Sequence, residues 1–510
     1  MLAKLNSMVL SGIEAIPVKV EIDVQGGLPA VEIVGLASTS VKEARERVRS
    51  AIKNSGYDFP NRRIVVNLSP ADMKKEGSHF DLPIALGILL ASGQIENSLG
   101  DSCYMAGELS LYGNLQKIAG VLPMALELAR YKGPIDLLVP AENGEEAALV
   151  EEVRTFTVRN LREAIDFMSS TGELPEVKPR PPQLMPDQIQ CLDFAHVKGQ
   201  DTAKRALQVA AAGHHNVLLI GPPGSGKTML ARRIPSILPE MNRSEILETT
   251  RIYSVANLLN EKQPLISSRP FRAPHKNASA VSIVGGGRNP RPGEISLAHN
   301  GVLFMDEFPE FNRDVLESLR QPLEDKSVTI ARAQATYTYP CNFSLVAAMN
   351  PCPCGHYGSD SQCLCTPTQI HRYLNRISGP LLDRMDMHIE IGRIKFEQLQ
   401  DKAPGENSSL MRERVNRARE IQACRFKDLD ISFNAQMGPA QIRQFCRLKR
   451  KAQTLFKEAF DFLNMSARTY DRVLKVARSI ADLEESETIS LNHLAEALRY
   501  RSLDRKYWNG

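Results

Sequence analysis

No stretch of this 510-residue chain approaches the roughly 20 consecutive apolar residues of a membrane span. The opening residues, Met1-Leu2-Ala3-Lys4-Leu5, also lack the long apolar core of a signal peptide. The expectation is a cytoplasmic protein with no membrane partner. A surplus of charge is lacking too, since 63 Lys+Arg stand against 59 Asp+Glu, and a net of +4 is too small to announce nucleic-acid binding from composition. The basic excess that exists is local: from Lys402 to Gly510 there are 21 Lys+Arg and 14 Asp+Glu. A solvated helical face gives the same count. Nine cysteines in a reducing compartment are no disulfide framework, so their placement needs another explanation. At about 150 residues per domain, the length predicts three or four domains.

Against these absences stands one dense motif. Asn216-Val217-Leu218-Leu219-Ile220 is an apolar run that leads into Gly221-Pro222-Pro223-Gly224-Ser225-Gly226-Lys227-Thr228, the full G-x-x-x-x-G-K-[ST] pattern. Glycines let successive backbone N–H groups face one anion, and the following helix, read over Met229 to Ile237, adds its positive end. Lys227 can reach the β- and γ-phosphates, and the Thr228 hydroxyl can ligate Mg²⁺. The cofactors predicted here are ATP and Mg²⁺.

Gly301 to Met305 is a buried-strand run ending in Asp306 and Glu307, which places one acid near the metal and a second where it can activate water. A third run, Phe343 to Met349, delivers Asn350, able to bond the γ-phosphate or the lytic water. Three strands with polar groups at their C-terminal ends predict an open α/β sheet with its ligand at those ends. In this order the motifs resemble an AAA+ ATPase, and Pro292-Gly293-Glu294-Ile295-Ser296-Leu297-Ala298-His299-Asn300 is similar to the magnesium-chelatase motor subunit and its relatives.

Within that family Leu382-Asp383-Arg384-Met385-Asp386 resembles the arginine-finger motif, and Ser466-Ala467-Arg468 resembles the second sensor at the start of a lid helix. The resemblance implies catalytic roles for Glu307, Asn350, Arg384 and Arg468. A finger supplied across a subunit boundary requires a neighbour, so it also implies a homo-oligomer, a hexameric ring. Arg384 and Arg468 in surface ion pairs are the alternative.

Cys352, Cys354, Cys363 and Cys365 form C-x-C-x₈-C-x-C directly after Asn350, in an insertion (351–366) rich in Gly, Pro, Ser and Asp that cannot fold around a core of its own. Four thiolates can supply a tetrahedral Zn²⁺ site and with it the missing ordering energy. The C-x-C spacing departs from the commoner C-x-x-C, His356 can replace a thiol, and free or redox-sensitive thiols are the alternative. Clustered cysteines here resemble the ComM/YifB branch of the chelatase-like ATPases, which favours zinc.

The predicted fold class is α/β and α+β multidomain. Prolines from Pro175 to Pro186 mark a linker, 175–190. Before it, Val18, Val20, Ile22 and Val24 alternate as in a strand, Gly26-Gly27 makes a turn and Val31 to Val34 returns. Val41, Ala44, Val48 and Ile52 follow helical spacing behind candidate caps Thr39 and Ser40. This α+β domain, 1–174, resembles the proteolytic domain of Lon (ribosomal S5 domain 2-like) in Gly107-Glu108-Leu109, in Lys117 to Gly120 and in Leu137 to Asn143. The serine nucleophile of a Lon protease falls on His79 or Phe80 here and its lysine on Leu122, so both groups are missing; Ser78 and Lys117 stand nearby. Residues 191–395 are read as the AAA+ core. Residues 396–510 are read as a helical lid covering the nucleotide, with helices over Met411–Phe426, Pro439–Arg447, Leu455–Phe462, Ala467–Ala481 and Leu491–Arg501, a break at Gly438 and an N-cap at Ser490.

Ser327 to Ala333 and Ala335 to Tyr339 alternate like strands on either side of Gln334, resembling a hairpin that faces the pore and touches DNA in ring helicases of the same clade. Arg332, Arg272 and Lys276 can neutralise phosphates there while Tyr337 and Tyr339 stack on bases; ordinary surface charge and packed aromatics are the alternative. The resemblance implies an ATP-driven ring motor on single-stranded or branched DNA, a branch-migration helicase in natural transformation. A chelatase-like or protein-remodelling ATPase is the alternative, and an ATP-dependent Lon-like protease a weaker one.

Overall fold

The structure, a computed structural model, describes residues 2–178, 192–259, 263–287, 290–332, 336–358, 362–393, 405–462 and 465–508. The linker therefore lies mostly outside the described residues, as do Gln334 and Arg288. The chain divides into two units. Met1–Gln183, Arg243–Ser267 and Ala331–Tyr339 form one, and Leu184–Asn242, Ser268–Ile330 and Pro340–Gly510 the other.

The first unit is built on a period of two. Val18, Val20, Ile22 and Val24 share one face of strand Glu14–Gln25 and all are buried. That strand pairs antiparallel with Leu2–Ser11, from Leu2 opposite Asp23 to Ser11 opposite Glu14. The seven-stranded sheet runs Ala30–Val34, Arg63–Ser69, Glu14–Gln25, Leu2–Ser11, Cys103–Met105, Asp136–Pro140, Arg154–Val158. Ala30–Val34 does not return beside Glu14–Gln25 as its turn suggests. It pairs in parallel with Arg63–Ser69, which takes that place. Parallel neighbours need a crossover of a dozen or more residues. Helix Thr39–Asn54, with Val41, Ala44, Val48 and Ile52 buried, supplies it. Its N-cap is Ser38, one residue before the expected caps.

Helix Arg243–Val255, which follows the phosphate loop in sequence, belongs to this first unit. Its Ser254 carbonyl accepts from Gly120 N–H at 3.2 Å and its Ser254 hydroxyl donates to the buried Glu146 at 2.5 Å. Glu146 also accepts from Leu122 N–H at 2.9 Å and Asn143 Nδ2 at 3.1 Å. Burial pushes its carboxyl above the ordinary value, against the pull of those three donors.

The second unit carries a five-stranded parallel sheet in the order Phe271–Arg272, Val302–Met305, Ser344–Met349, Val217–Ile220, Met387–Glu390. The three central strands are buried at every position, which is why they read as unbroken apolar runs. The C-terminal helices are Ser408–Arg425, Pro439–Phe445, Arg450–Phe462, Ala467–Leu483 and Leu491–Arg499, with Gly438 and Ser490 as N-caps. They share one hydrophobic core with the sheet and with helix Asp201–Gly213.

One buried polar knot ties these helices. Asp482, whose side chain is fully buried, accepts from Arg425 Nη1 at 2.8 Å, Arg478 Nε at 3.1 Å and Asn434 Nδ2 at 2.8 Å. Removing one partner of a buried ion pair leaves uncompensated charge, at a cost of about 3–5 kcal/mol. Asp482→Ala should therefore lower the unfolding free energy of the second unit, read from its urea transition, by about that much. Asp482→Asn, which keeps acceptor capacity, should cost less.

Candidate nucleotide site

The phosphate loop is shaped by two left-handed residues, Gly224 at φ 75° and Gly226 at φ 89°, which turn the chain into helix Lys227–Ala231. Lys227 is buried, and its ammonium donates to the carbonyls of Gly221 at 2.7 Å and Pro222 at 2.9 Å and to Asn350 Oδ1 at 3.2 Å. Burial lowers its pKa, with Asp306 opposing.

Sheet register explains why these side chains meet. Ile220 lies opposite Met349, and Met305 opposite Ala347, so the loop, Asp306 and Asn350 all leave the sheet at its C-terminal edge. Thr228 Oγ1 donates to Asp306 Oδ2 at 2.7 Å. A hydroxyl and a carboxylate so placed are a donor set suited to Mg²⁺. Glu307 sits in the left-handed region at φ 51°, its N–H on Asp306 Oδ1 at 2.9 Å, and its half-exposed carboxylate can reach toward solvent. Sequence reasoning assigned one neighbour, Lys276, to DNA and missed a second, Gln200. Lys276 Nζ lies 2.6 Å from Glu307 Oε2, and that bond raises the lysine pKa. Gln200 Nε2 donates to Gly392 O at 2.8 Å, at the mouth of a cavity of about 650 Å³ that Thr202, Glu390 and Tyr500 also line. That volume is within the range of small-molecule sites.

The two arginines are elsewhere. Met387 pairs with Val217 and Glu390 with Ile220, so Arg384 precedes its strand at the sheet's N-terminal edge, opposite the phosphate loop. Its side chain donates to the carbonyls of Arg320 at 3.1 Å and Pro380 at 2.6 Å and pairs with Glu324. Arg468 lies 3.8 Å from Asp383, beside Arg384. Asp386 anchors the same edge. Burial pushes its carboxyl up, but His215, Arg472 and the Asn216 N–H outweigh that and hold it well below the usual range. Arg472, on helix Ala467–Leu483, stands 3.7 Å from it. Only the i+4 spacing from Arg468 could have drawn notice to this arginine in the sequence.

The four cysteines converge: Cys352, Cys354, Cys363 and Cys365 have sulfurs all within 4.8 Å of one another. Three separations are 3.4, 3.8 and 3.6 Å. A tetrahedron of ~2.3 Å Zn–S bonds has sulfur–sulfur edges of about 3.8 Å, so this donor set fits zinc and is far from disulfide length. Tyr357 N–H donates to Cys352 Sγ at 3.3 Å.

The candidate DNA contacts divide between the two units, Arg332, Tyr337 and Tyr339 in the first and Arg272 and Lys276 in the second. Tyr339 is fully buried and offers no face to a base. Tyr337 is half-buried over Gly12. Arg272 forms a two-pronged pair with Glu294, at 2.6 and 2.8 Å, and Lys276 holds Glu307. Arg332 is exposed at the end of strand Ser327–Ala331. In the first unit Phe80 and Leu122 are fully buried. Ser78 bonds Glu108, and Lys117 donates to the Leu259 carbonyl. His79 is buried on the Met8 carbonyl at 2.8 Å, its pKa lowered to about 4 by burial.

Comparison with known proteins accounts for this combination. Three sequence profiles match along the chain: magnesium chelatase, subunit ChlI, over residues 193–399; subunit ChlI of Mg-chelatase over 20–143; and the magnesium chelatase subunit ChlI C-terminal region over 405–501. The YifB protein of Escherichia coli is 44% identical over 495 residues, 97% of this chain and 96% of its own. The competence protein ComM of Haemophilus influenzae is 44% identical over 516 residues, 99% and 98% of the two chains. Lon protease 2 of Bacillus subtilis is 27% identical over 155 residues, 29% of this chain and 28% of its own. With near-complete coverage at that identity, and with the phosphate loop, paired acids and cysteine cluster in one chain, the protein belongs to the ComM/YifB family of magnesium-chelatase-like AAA+ proteins.

Proposed function

We propose that the protein is an ATP-driven ring motor that acts on DNA, a branch-migration helicase serving recombination during natural transformation. The observation that carries the motor reading is the separation of Arg384 from Lys227 by the length of the parallel sheet. A strand of four residues at about 3.3 Å each stands between them, so the arginine serves a neighbouring subunit's nucleotide. Arg468, beside Asp383, serves the same neighbour. In this reading Lys227 and the loop amides bind the triphosphate, Thr228 and Asp306 hold Mg²⁺, Asn350 orients the γ-phosphate, and Glu307 takes the proton of the attacking water. A bound Mg²⁺ would supply charge neutralisation between phosphates. The subunits form a homo-oligomeric ring, hexameric by the family resemblance. The domain plan proposed is an inactive Lon-like domain, the AAA+ core and a C-terminal lid. The four cysteines hold one zinc ion.

The DNA part rests on the relative named for competence and on Arg332 and Tyr337. A protein-remodelling motor is the second reading. It is favoured by the burial of Tyr339 and by the carboxylate partners of Arg272 and Lys276.

Lys227→Ala should abolish ATP binding, whereas Glu307→Gln should keep binding and slow turnover by about 10²-fold or more, read from nucleotide binding and phosphate release side by side. Turnover at the wild-type rate in Glu307→Gln would remove its assigned role. Arg384→Ala should bind ATP without turning it over. Mixing it with Lys227→Ala subunits, which still carry Arg384, should restore part of the rate, and an active Arg384→Ala monomer would refute the ring.

ATPase rates with no DNA and with single-stranded, duplex, forked and four-way DNA separate the two readings. Stimulation by branched or single-stranded DNA is expected, with Arg332→Ala weakening it and reducing the salt slope of binding. A rate indifferent to every DNA would leave protein remodelling as the function. Metal analysis of freshly reduced protein should find about one zinc per chain, lost in Cys352→Ser/Cys354→Ser. No zinc would mean free thiols.

A further inference from the structure

We propose that the cysteine lobe is a buttress for the phosphate loop, and that Gly355 is the positioning residue through which it acts. The proposal rests on the zinc reading for what holds the lobe, and on geometry alone for the contact. Gly355 is buried, has φ 82°, and donates its N–H to the Cys352 carbonyl at 3.0 Å. A Cβ placed on it would lie 2.4 Å from Pro223 Cδ and 2.8 Å from Pro223 Cγ. The glycine backbone is therefore pressed against the ring of a phosphate-loop residue, at a distance no other amino acid can match.

Pro223 lies between the carbonyls of Gly221 and Pro222, which receive the Lys227 ammonium, and the left-handed Gly224. The lobe is also joined covalently to the site. Asn350, which accepts from Lys227, precedes Cys352 by two residues. On its other side the lobe meets the C-terminal helix Leu503–Tyr507: the rings of Tyr357 and Tyr507 are 6.2 Å apart, and Tyr507 and Lys506 both reach Glu390. Four sulfurs, a glycine against a proline and one aromatic pair are its anchors. A loop without an apolar core takes its order from such anchors, the metal above all.

Phosphate loops bind through the directions of their backbone N–H groups, so a wall that fixes Pro223 fixes those directions. Metal binding and nucleotide binding then favour each other, by an amount that must be equal in both directions.

The test is equilibrium binding of a fluorescent ATP analogue with Mg²⁺ to the full chain, with zinc measured on the same samples. Gly355→Ala should retain zinc and bind the analogue about tenfold more weakly, because the added methyl pushes into Pro223. Gly358→Ala is the control. It has the same left-handed strain, φ 72°, but its Cβ would meet only the end of the flexible Lys506 chain, at 3.4 and 3.5 Å. Its affinity should stay within about twofold of wild type. Wild-type protein stripped of zinc and returned to Mg²⁺ should weaken like Gly355→Ala and recover when zinc is restored. Wild-type affinity in Gly355→Ala would overturn the buttress. Equal loss in both glycine variants, with zinc released, would overturn it as well, since the effect would then be unfolding of the lobe. Should the wild type hold no zinc while Gly355→Ala still loses affinity, the metal reading falls and the positioning role of Gly355 stands.

Discussion

The parallel ladder through Val217–Ile220 is the constraint on which the site depends. Hydrogen-bonded on both sides, to Ser344–Met349 and Met387–Glu390, this strand sets the register of both neighbours and, through Ser344–Met349, of Val302–Met305. Parallel strands deliver all their C-terminal ends to one edge, so a single register brings Lys227, Asp306 and Asn350 within a few ångström of one another. The same register sends Asp383, Arg384 and Asp386 to the other edge. Arg384 and Lys227 therefore stand at opposite ends of the same parallel sheet.

The charges at both edges have intramolecular partners. Lys227 is held by two carbonyls, Glu307 by Lys276, and Arg384 by Glu324 and two carbonyls. In the proposed mechanism a triphosphate, a lytic water or a neighbouring nucleotide would displace such a partner. The exchange costs little for half-exposed Glu307, where solvent screens the pair. For buried Lys227 the phosphate oxygens would replace carbonyl dipoles, and a full negative charge is the stronger partner there. The ordering makes nucleotide binding the dominant electrostatic event and release of Glu307 the gentler one.

How much of this was legible in the sequence follows from range. The strand runs were readable because burial on both faces leaves a continuous apolar signature, and the helix face of Val41, Ala44, Val48 and Ile52 because its period is local. The partner of Ala30–Val34 was not, since pairing with Arg63–Ser69 is decided about 30 residues away by where the intervening helix packs. The hairpin shows a subtler limit. Tyr337 and Tyr339 are two apart and so share a face, with Thr336 and Thr338 on the other. Period two defines the stripes but not which one points inward, and here the tyrosines do while the threonines are exposed. Arg272 and Lys276 looked like phosphate contacts for a similar reason: Glu294 and Glu307 are 22 and 31 residues further on, and no local pattern announces them.

The first unit is fastened around one buried carboxyl. Leu122 donates its backbone N–H to Glu146, and the same carboxyl receives the Ser254 hydroxyl. A buried carboxyl that accepts from three donors on different segments acts as a fastening between them. What it fastens is helix Arg243–Val255, the segment that leaves the phosphate-loop helix in sequence and returns at Ser268 to the strand before Lys276. A second excursion, Ala331–Tyr339, leaves and re-enters the second unit between Asp306 and Asn350, with Tyr337 seated over Gly12. The chain thus runs twice from the nucleotide-contacting strands into the first unit and back.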